Sequence, residues 1–435
     1  MPLQAILIWL RGLTVFFAVL GALVNAAYAK GAQDADASTV ANDARLGGDL
    51  VRTRFVADLS EAVDFRAFIL ANPYRVIVDL PEVKFLMPSG VGAKGKGLVS
   101  AFRFGLLAQG KSRIVIDVVE PVLIDKAFVR AAENGQPARL VLDLVRTTKE
   151  KFEKQLQQQA VFSSTAPGSF KPSVEPLSPL GGQDGGRSGA TPTKHKPVVV
   201  LDPGHGGVDP GAISIGGKYE KNIVFSFAQL LKSKLEATGK YRIVMTRDED
   251  IFIPLEDRVK RARKEQADLL LSIHANAMDL KHPVFGKAAA DVRGASVYTL
   301  SEEASDDLAK AIARKENTAD IVAGAELAGA TDDDLASILI DLMHRETKNL
   351  SVAFAQTLLT NLKTQVKLTP KPHRFANFRV LKAQDVPSVL LELGYLSHKG
   401  DERAMISKKW RSEAADKVVK AINVFFARRQ VSMPR

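Results

Sequence analysis

The sequence predicts an α/β domain, with a mixed, mostly parallel sheet flanked by helices, preceded by a small all-β sandwich domain. Short continuous apolar runs in the second half of the chain are typical of strands buried on both faces of such a sheet. Segments with the periodicity of amphipathic helices lie between these runs. Before residue 150, short segments in which apolar and polar residues alternate are typical of the strands of a sandwich. The predicted strands of the α/β domain lie at 198–201, 241–246, 269–274, 295–300 and 389–394. Its predicted helices cover about 221–237, 255–266, 332–363 and 412–428.

Histidine and glutamate residues stand at the ends of these elements. His205 follows the first apolar run, and His274 ends the strand at 269–274. Glu392 lies within the strand at 389–394, where a buried carboxylate costs several kcal/mol unless it has a partner. Glu220 opens the helix predicted over 221–237. Because the ligand crevice of an open α/β sheet lies at the carboxyl ends of its strands, we expect the four side chains to meet at one rim.

Two imidazoles and one carboxylate, with a fourth position left open, make the ligand set of a catalytic zinc site. We predict that His205, Glu220 and His274 bind Zn²⁺ and that Glu392 is the general base that takes a proton from water. No His-Glu-x-x-His sequence occurs, which excludes a thermolysin-type helix. The alternative is a set of buried polar residues that hold strand ends together. Asn276, close behind His274, is predicted to contact substrate.

Three segments and Glu220 together resemble a known family, the zinc-dependent N-acetylmuramoyl-L-alanine amidases of bacterial cell-wall turnover. The segments are LDPGHGG (201–207), SIHAN (272–276) and VLLELGYLS (389–397). The resemblance places a catalytic domain at 196–430. It implies that the substrate is peptidoglycan, that the scissile bond is the amide between N-acetylmuramic acid and L-alanine, and that the enzyme acts in septal wall splitting and daughter-cell separation.

The amino terminus indicates export. Arg11 precedes the apolar run 13–23, and Ala27-Tyr28-Ala29 fits a cleavage site, so residues 1–29 are predicted to be a signal peptide. An uncleaved membrane anchor is the alternative, since residues 5–10 are also apolar. Residues 30–48 are expected to be a flexible lead-in. We expect a periplasmic protein of a Gram-negative bacterium, located at the division septum and without stable membrane insertion after cleavage.

The net charge of the 435-residue chain, +11 with a pI near 9.5, suggests an anionic polymer as a partner. No nucleic-acid-binding motif occurs, and the aromatic residues are not interleaved with a basic stripe, so a wall polymer fits better than nucleic acid. The chain has no cysteine, which excludes a disulfide framework, a cysteine-based zinc site and a cysteine nucleophile.

Residues 45–150 resemble the AMIN domain, an all-β wall-targeting module found ahead of such amidases. The predicted strands lie at 51–58, 64–70, 74–80, 98–104, 113–118 and 140–144. Residues 147–159 are predicted to form a short charged helix or tail. A Pro, Gly, Ser and Thr-rich composition over 163–196 predicts a flexible linker, which we place at 151–195. The resemblance implies that the domain binds peptidoglycan.

A short echo recurs within that domain. Its three copies are Arg75-Val-Ile-Val-Asp79, Arg113-Ile-Val-Ile-Asp117 and Arg139-Leu-Val-Leu-Asp143. The simpler interpretation is strand propensity, with the charges as solvated ends of each strand.

An insertion at 301–350 is too long to be a simple connection between strands. Ser301 is predicted to cap a helix over 302–317, on which Leu308, Ile312 and Glu316 share one face. The division amidases that this arrangement resembles use a regulatory helix that covers the site until an activator protein displaces it. We therefore predict that Glu316 fills the fourth zinc position at rest and that an activator docks on the insertion. Glu303 and Glu326 are the second-choice candidates for this ligand position. The alternative is that Glu316 binds no metal and lies at a solvent-exposed end of the helix.

Two other functions remain open at this point. One is a wall-binding scaffold whose amidase domain is inactive, and the other is a zinc peptidase that acts on soluble peptides. A chelator-sensitive zymogram on purified wall separates an enzyme from a scaffold. A new free L-alanine amine among the products separates an amidase from a peptidase.

Overall fold

The structure is a computed structural model that describes residues 39–88, 90–157, 162–163, 196–278, 292–325 and 338–432. The predicted signal peptide, most of the predicted linker and Glu326 lie outside these residues. Within them, no helix combines the length and the apolar character that a membrane span requires.

The N-terminal domain is the predicted all-β sandwich. Its strands are β1 (Thr39–Gly48), β2 (Arg52–Leu59), β3 (Arg66–Leu70), β4 (Arg75–Pro81), β5 (Val83–Phe85), β6 (Val99–Ala108), β7 (Lys111–Val118), β8 (Val122–Arg130), β9 (Ala138–Arg146) and β10 (Phe162–Ser163). They form two five-stranded sheets in the orders β5-β1-β2-β9-β8 and β10-β3-β4-β7-β6. Apolar side chains from both sheets pack between them, and the rings of Phe55 and Phe102 meet edge to face at 5.1 Å.

Two expected boundaries of this domain are wrong. The lead-in at 30–48 contains β1, which pairs with β2 and β5, so the domain begins before residue 45. Its buried apolar side chains are small, Ala41 and Ala44, and give a weak hydrophobic pattern. The start of the predicted linker is also ordered. The short charged helix predicted at 147–159 is present as α1 (Lys149–Gln157), which buries Phe152 against the sandwich, and β10 pairs with β3.

The second domain contains the predicted mixed sheet. Its strands are β11 (Val198–Pro203), β12 (Arg242–Met245), β13 (Leu269–Asn276), β14 (Ala295–Leu300), β15 (Leu368–Ala376) and β16 (Ser388–Tyr395). Their order is β12-β11-β13-β16-β14-β15, and of these neighbours only β14 and β16 pair antiparallel. The sequence did not predict β15, which carries two prolines and three basic residues. Its position at the sheet edge tolerates both.

Helices cover the sheet as predicted. They are α2 (Glu220–Ala237), α3 (Leu255–Lys264), α4 (Asp307–Asn317), α5 (Ala319–Val322), α6 (Ile338–Leu362), α7 (Lys399–Ile406) and α8 (Lys408–Ser432). Apolar side chains of α2, α6 and α8 form one large buried core with the strands.

The predicted start of the insertion helix is wrong. Helix α4 begins at Asp307, and Asp306, rather than Ser301, caps it by accepting a hydrogen bond from Ala309 N. Ser301 N and Ser305 N instead donate to backbone carbonyls of β15, and residues 301–306 are not helical. Pairing with the edge strand therefore outweighs the local capping signal.

A buried ionic network holds the end of β11. Asp202 is fully buried and accepts hydrogen bonds from Thr246 Oγ1 at 2.6 Å, Ser272 Oγ at 2.7 Å and Arg258 Nη1 at 2.8 Å. Burial by itself would raise the pKa of Asp202, but Arg258 and the two hydroxyls hold it below its usual value. Arg258 also donates to His205 O at 2.8 Å, so the network positions the turn that carries this histidine.

Asp202→Asn is expected to lower the free energy of unfolding by about 3–5 kcal/mol, because it leaves the Arg258 guanidinium buried without its charge partner. The measurement is urea unfolding, with Asp416→Asn as the control, since Asp416 forms an exposed ion pair with Lys234. The folded pKa of Asp202 lies below the unfolded one, so its contribution is present above about pH 4 and is lost as the pH falls through the folded pKa. A loss of the same size in both variants at pH 7 would contradict this assignment.

Candidate metal centre

The first residue of α2 brings a carboxylate to the carboxyl ends of the central strands. Glu220 is fully buried. Its Oε2 accepts a hydrogen bond from Ala212 N and its Oε1 one from Ala275 N, both at 2.8 Å. These two bonds fix the carboxylate between the loop after β11 and the end of β13. The predicted convergence of separate elements is therefore present for Glu220.

His205 lies in the turn after β11, with a backbone φ of 59°. Its Nδ1 is 2.7 Å from Asp209 Oδ2, while its Nε2 is 3.2 Å from Glu220 Oε2. A carboxylate on one ring nitrogen orients the other nitrogen and raises its basicity, as is common for histidines that bind metals. The sequence analysis missed Asp209, although a carboxylate four residues after a candidate ligand is a usable signal.

His274 lies near the end of β13, close to His205. Its Nδ1 is 3.3 Å from Glu220 Oε1, and the two imidazole rings have centroids 5.0 Å apart. Gly204 makes this approach possible, because a Cβ at that position would lie 2.2 Å from the His274 ring.

Helix α4 places a second carboxylate against the same nitrogens. Glu316 Oε2 is 3.0 Å from His274 Nδ1 and 3.3 Å from His205 Nε2. Ile312 and Glu316 of this helix are buried. Leu308 packs against the apolar cluster that contains Ile312, as expected if the three side chains share one helix face. Of the two substitutes for Glu316, Glu303 is exposed and Glu326 lies outside the described residues.

Glu392 lies within β16, next to His274 in the parallel ladder between β13 and β16. It is fully buried, and neither carboxylate oxygen has a hydrogen-bond partner. Burial, together with the nearby charges of Glu316 and Glu220, raises its pKa to about 8, although His274 acts in the opposite direction.

The cluster fits a metal ion. One ligand atom from each of His205, Glu220 and His274 lies within 4.8 Å of the others. The buried atoms His205 Nε2, His274 Nδ1 and both oxygens of Glu316 have no hydrogen-bond partner, which is costly unless a cation binds there. Ligand atoms on a tetrahedral zinc ion with bonds of 2.0–2.1 Å are about 3.3–3.4 Å apart. The separations of 3.0–3.3 Å between Glu316 Oε2 and the two nitrogens are close to that value.

The carboxylates shift the titration of both histidines. Burial alone would lower their pKa values, but Glu220, Asp209 and Glu316 raise the pKa of His205 well above its usual value. Glu316 and Glu220 raise that of His274 to about 9. Without a metal, the surrounding carboxylates therefore favour the protonated form of both rings.

Asn276, predicted to contact substrate, is buried at the end of β13. Its Oδ1 accepts hydrogen bonds from Ala277 N at 2.7 Å and from Lys315 Nζ at 3.3 Å, while its Nδ2 has no partner. In this structure it contacts α4, beside Glu316.

A buried arginine near the rim of the site has a structural role. Arg247 is buried and donates to Pro203 O at 3.1 Å, Gly204 O at 3.1 Å and Lys221 O at 3.0 Å, so it holds the turn before His205 against the start of α2. Burial and the nearby Arg258 lower the pKa of Arg247 to about 10.

Metal binding is expected to release protons. At pH 7.5 a divalent metal must displace the protons of two imidazolium rings, so roughly one to two protons should leave per metal bound. Titration calorimetry in two buffers of different ionisation enthalpy measures this number, and the apparent affinity should rise with pH up to about 9. His274→Ala should abolish stoichiometric binding, whereas His398→Ala, a histidine at the start of α7, should leave it intact. Proton-independent binding would contradict the described electrostatics.

Comparison with known proteins confirms the predicted family. Residues 199–424 match the family described as Amidase_3, N-acetylmuramoyl-L-alanine amidase. The N-acetylmuramoyl-L-alanine amidase AmiC of Escherichia coli O6:H1 is 31% identical over 86% of this chain and 87% of its own length. AmiC of Neisseria meningitidis serogroup B is 32% identical over 87% and 88%, and AmiA of Escherichia coli K12 is 40% identical over 53% and 76%. The chain belongs to the N-acetylmuramoyl-L-alanine amidase family.

Proposed function

We propose that the protein is a zinc-dependent peptidoglycan amidase that hydrolyses the amide between N-acetylmuramic acid and L-alanine and that Glu316 blocks it at rest. Family membership supports the reaction. The observation that carries the zinc assignment is the convergence of unpartnered, buried ligand atoms from His205, His274 and Glu316 beside the Glu220 carboxylate. Nitrogen and carboxylate oxygen donors in this number suit zinc.

His205, Glu220 and His274 would hold the ion, with Asp209 orienting the His205 ring. When bound, zinc supplies Lewis-acid polarisation of the amide carbonyl and lowers the pKa of water to about 7. Glu392 accepts the proton of the attacking water at a carboxylate oxygen and donates it to the departing L-alanine nitrogen.

Glu316 competes with substrate for this site. Its carboxylate occupies the space beside both imidazoles that an amide carbonyl and water would need. Lys315 extends over the same rim, with its Nζ 3.4 Å from Glu316 Oε1 and 3.3 Å from Asn276 Oδ1. Moving α4 would therefore expose the metal, Glu392 and Asn276 together.

The remaining predictions concern the setting of this reaction. We infer that the N-terminal sandwich is an AMIN domain that binds peptidoglycan and that the enzyme acts in the periplasm at the division septum. An activator protein that docks on the insertion at 301–350 would supply the displacement of α4. A role in septal wall splitting is consistent with the similarity to the AmiC proteins.

Glu316→Ala is expected to raise wall hydrolysis at least roughly tenfold without any partner, because it vacates a position held by a charged ligand. The assay digests purified peptidoglycan and counts new free L-alanine amino groups by mass spectrometry. Glu303→Ala, which changes an exposed glutamate of the same insertion, is the matched control and should match the parent. Cleavage between peptide residues would contradict the amidase assignment, and a quiet Glu316→Ala variant that keeps its zinc would contradict the block.

Glu392→Gln in the Glu316→Ala background is expected to lower turnover by about two to four decades while zinc content stays at one per chain, because the amide keeps the shape but cannot accept a proton. The same product assay and metal analysis measure both quantities. Activity equal to the background variant would remove Glu392 from the mechanism.

A further inference from the structure

Three arginines of the N-terminal domain bind the segment that carries Glu316. We define the blocking segment as residues 307–324, which comprises α4, α5 and the two residues after them. Its last four backbone carbonyls accept hydrogen bonds from guanidinium groups on β4, β6 and β7. The pairs are Arg75 with Ile321, Arg103 with Val322 (2.7 and 3.1 Å), and Arg113 with Ala323 (3.3 Å) and Gly324.

Carboxylates on the same sheet hold these arginines in place. Arg113 forms a bidentate pair with Asp79, at 2.5 and 2.9 Å, and Arg103 pairs with Asp117. In the ladder between β4 and β7, Arg75 stands opposite Asp117 and Asp79 opposite Arg113. The charges of the first two echo copies, which the sequence analysis interpreted as solvated strand ends, therefore form an ordered grid. We call Arg75, Arg103 and Arg113 the arginine face.

Apolar side chains of β4 and β7 also contact the end of the blocking segment. Ile77 and Val115 stand opposite each other in the same ladder, are fully buried, and share one core cluster with Ala323 of the blocking segment. Gly324 has a φ of 67°, and a Cβ there would lie 2.8 Å from Ile77 Cδ1. The end of the segment is thus fitted to this sheet and not merely near it.

The chemistry of the contact suits a helix end. The four carbonyls lie at and just after the end of the single-turn helix α5, where Ile321 O also accepts a hydrogen bond from Gly324 N at 2.9 Å. Carbonyls at a helix end need hydrogen-bond donors from outside the helix, which the guanidinium groups supply. Arg75 and Arg113 are only 5% and 7% exposed, so their hydrogen bonds to these carbonyls are poorly screened by solvent. The third echo copy differs, since Arg139 pairs with Asp58 and Gln136 of its own domain.

The contact lies close to Glu316 along the chain. Ile321 follows Glu316 by five residues, with the single residue Thr318 between α4 and α5. Asp320 ties the same turn to the catalytic domain, where its carboxylate accepts from Leu255 N at 2.9 Å and pairs with Arg379 at 3.2 Å. Because both ends of so short a stretch are held, α4 cannot move away from the imidazoles unless the contact loosens or the segment bends.

We propose that the arginine face is the binding surface for the end of the blocking segment and that it holds Glu316 at the metal site. The N-terminal domain then acts as a part of the block as well as a wall-targeting module. The effect on activity rests on the proposed block by Glu316, whereas the contact itself does not.

The test compares hydrogen–deuterium exchange in peptides from residues 307–324 of the full-length, zinc-loaded protein. The variants are Arg103→Ala and the double change Arg113→Ala with Asp79→Ala, which leaves no carboxylate unpaired. Arg139→Ala, from the third echo copy, is the matched control. Exchange in these peptides should rise roughly tenfold in both variants and stay unchanged in the control, and wall hydrolysis should rise with it.

The outcomes separate the two proposals. Unchanged exchange at 307–324 in the folded variants, checked by their thermal melting, would overturn the binding surface. Faster exchange without faster hydrolysis, when Glu316→Ala does hydrolyse wall, would overturn the claim that the arginine face holds Glu316. If Glu316→Ala itself stays quiet, the block fails, and the exchange comparison still decides whether the contact exists.

Discussion

Buried charge at the carboxyl ends of β11, β13 and β16 is the constraint on which the rest of the structure depends. Glu220, Glu316 and Glu392 share this space with two imidazoles, and several of their polar atoms have no hydrogen-bond partner. Such a set is costly unless a cation binds among it. The fixed backbone bonds of Glu220 and the network around Asp202 keep the groups together at that cost. A metal ion bound among these groups would stabilise the fold, and the same groups would hold the ion that the reaction needs.

The same constraint explains how one carboxylate can act as a switch. In the proposed function, Glu316 covers the site from α4, a helix outside the sheet, so that displacing this helix would uncover the metal ligands. The arginine face adds a second hold on that helix from a different domain. An activator, in this account, has to overcome a carboxylate at one end of a short segment and a set of carbonyl contacts at the other.

The sequence predicted the buried strands and the site residues at their ends, because long apolar runs that end in polar residues mark both. His205, His274 and Glu392 could be placed because their strands read clearly and the carboxyl ends of parallel strands share an edge. The start of α4 could not, because Ser301 and Asp306 are both good caps and pairing with β15 decides between them. The contact of Arg113 with the blocking segment could not be predicted either, since Ala323 and Gly324 lie more than 200 residues away and a charged strand end gives no sign of them.

The crystal structure of the zinc-loaded full-length protein at rest, with anomalous diffraction at the zinc edge, tests the central claim most directly. The account predicts one zinc ion bound by His205, Glu220, His274 and Glu316, with bonds of about 2.0–2.2 Å and no water in the fourth position. Zinc with a water as its fourth ligand and Glu316 turned away, or zinc bound elsewhere, would contradict it.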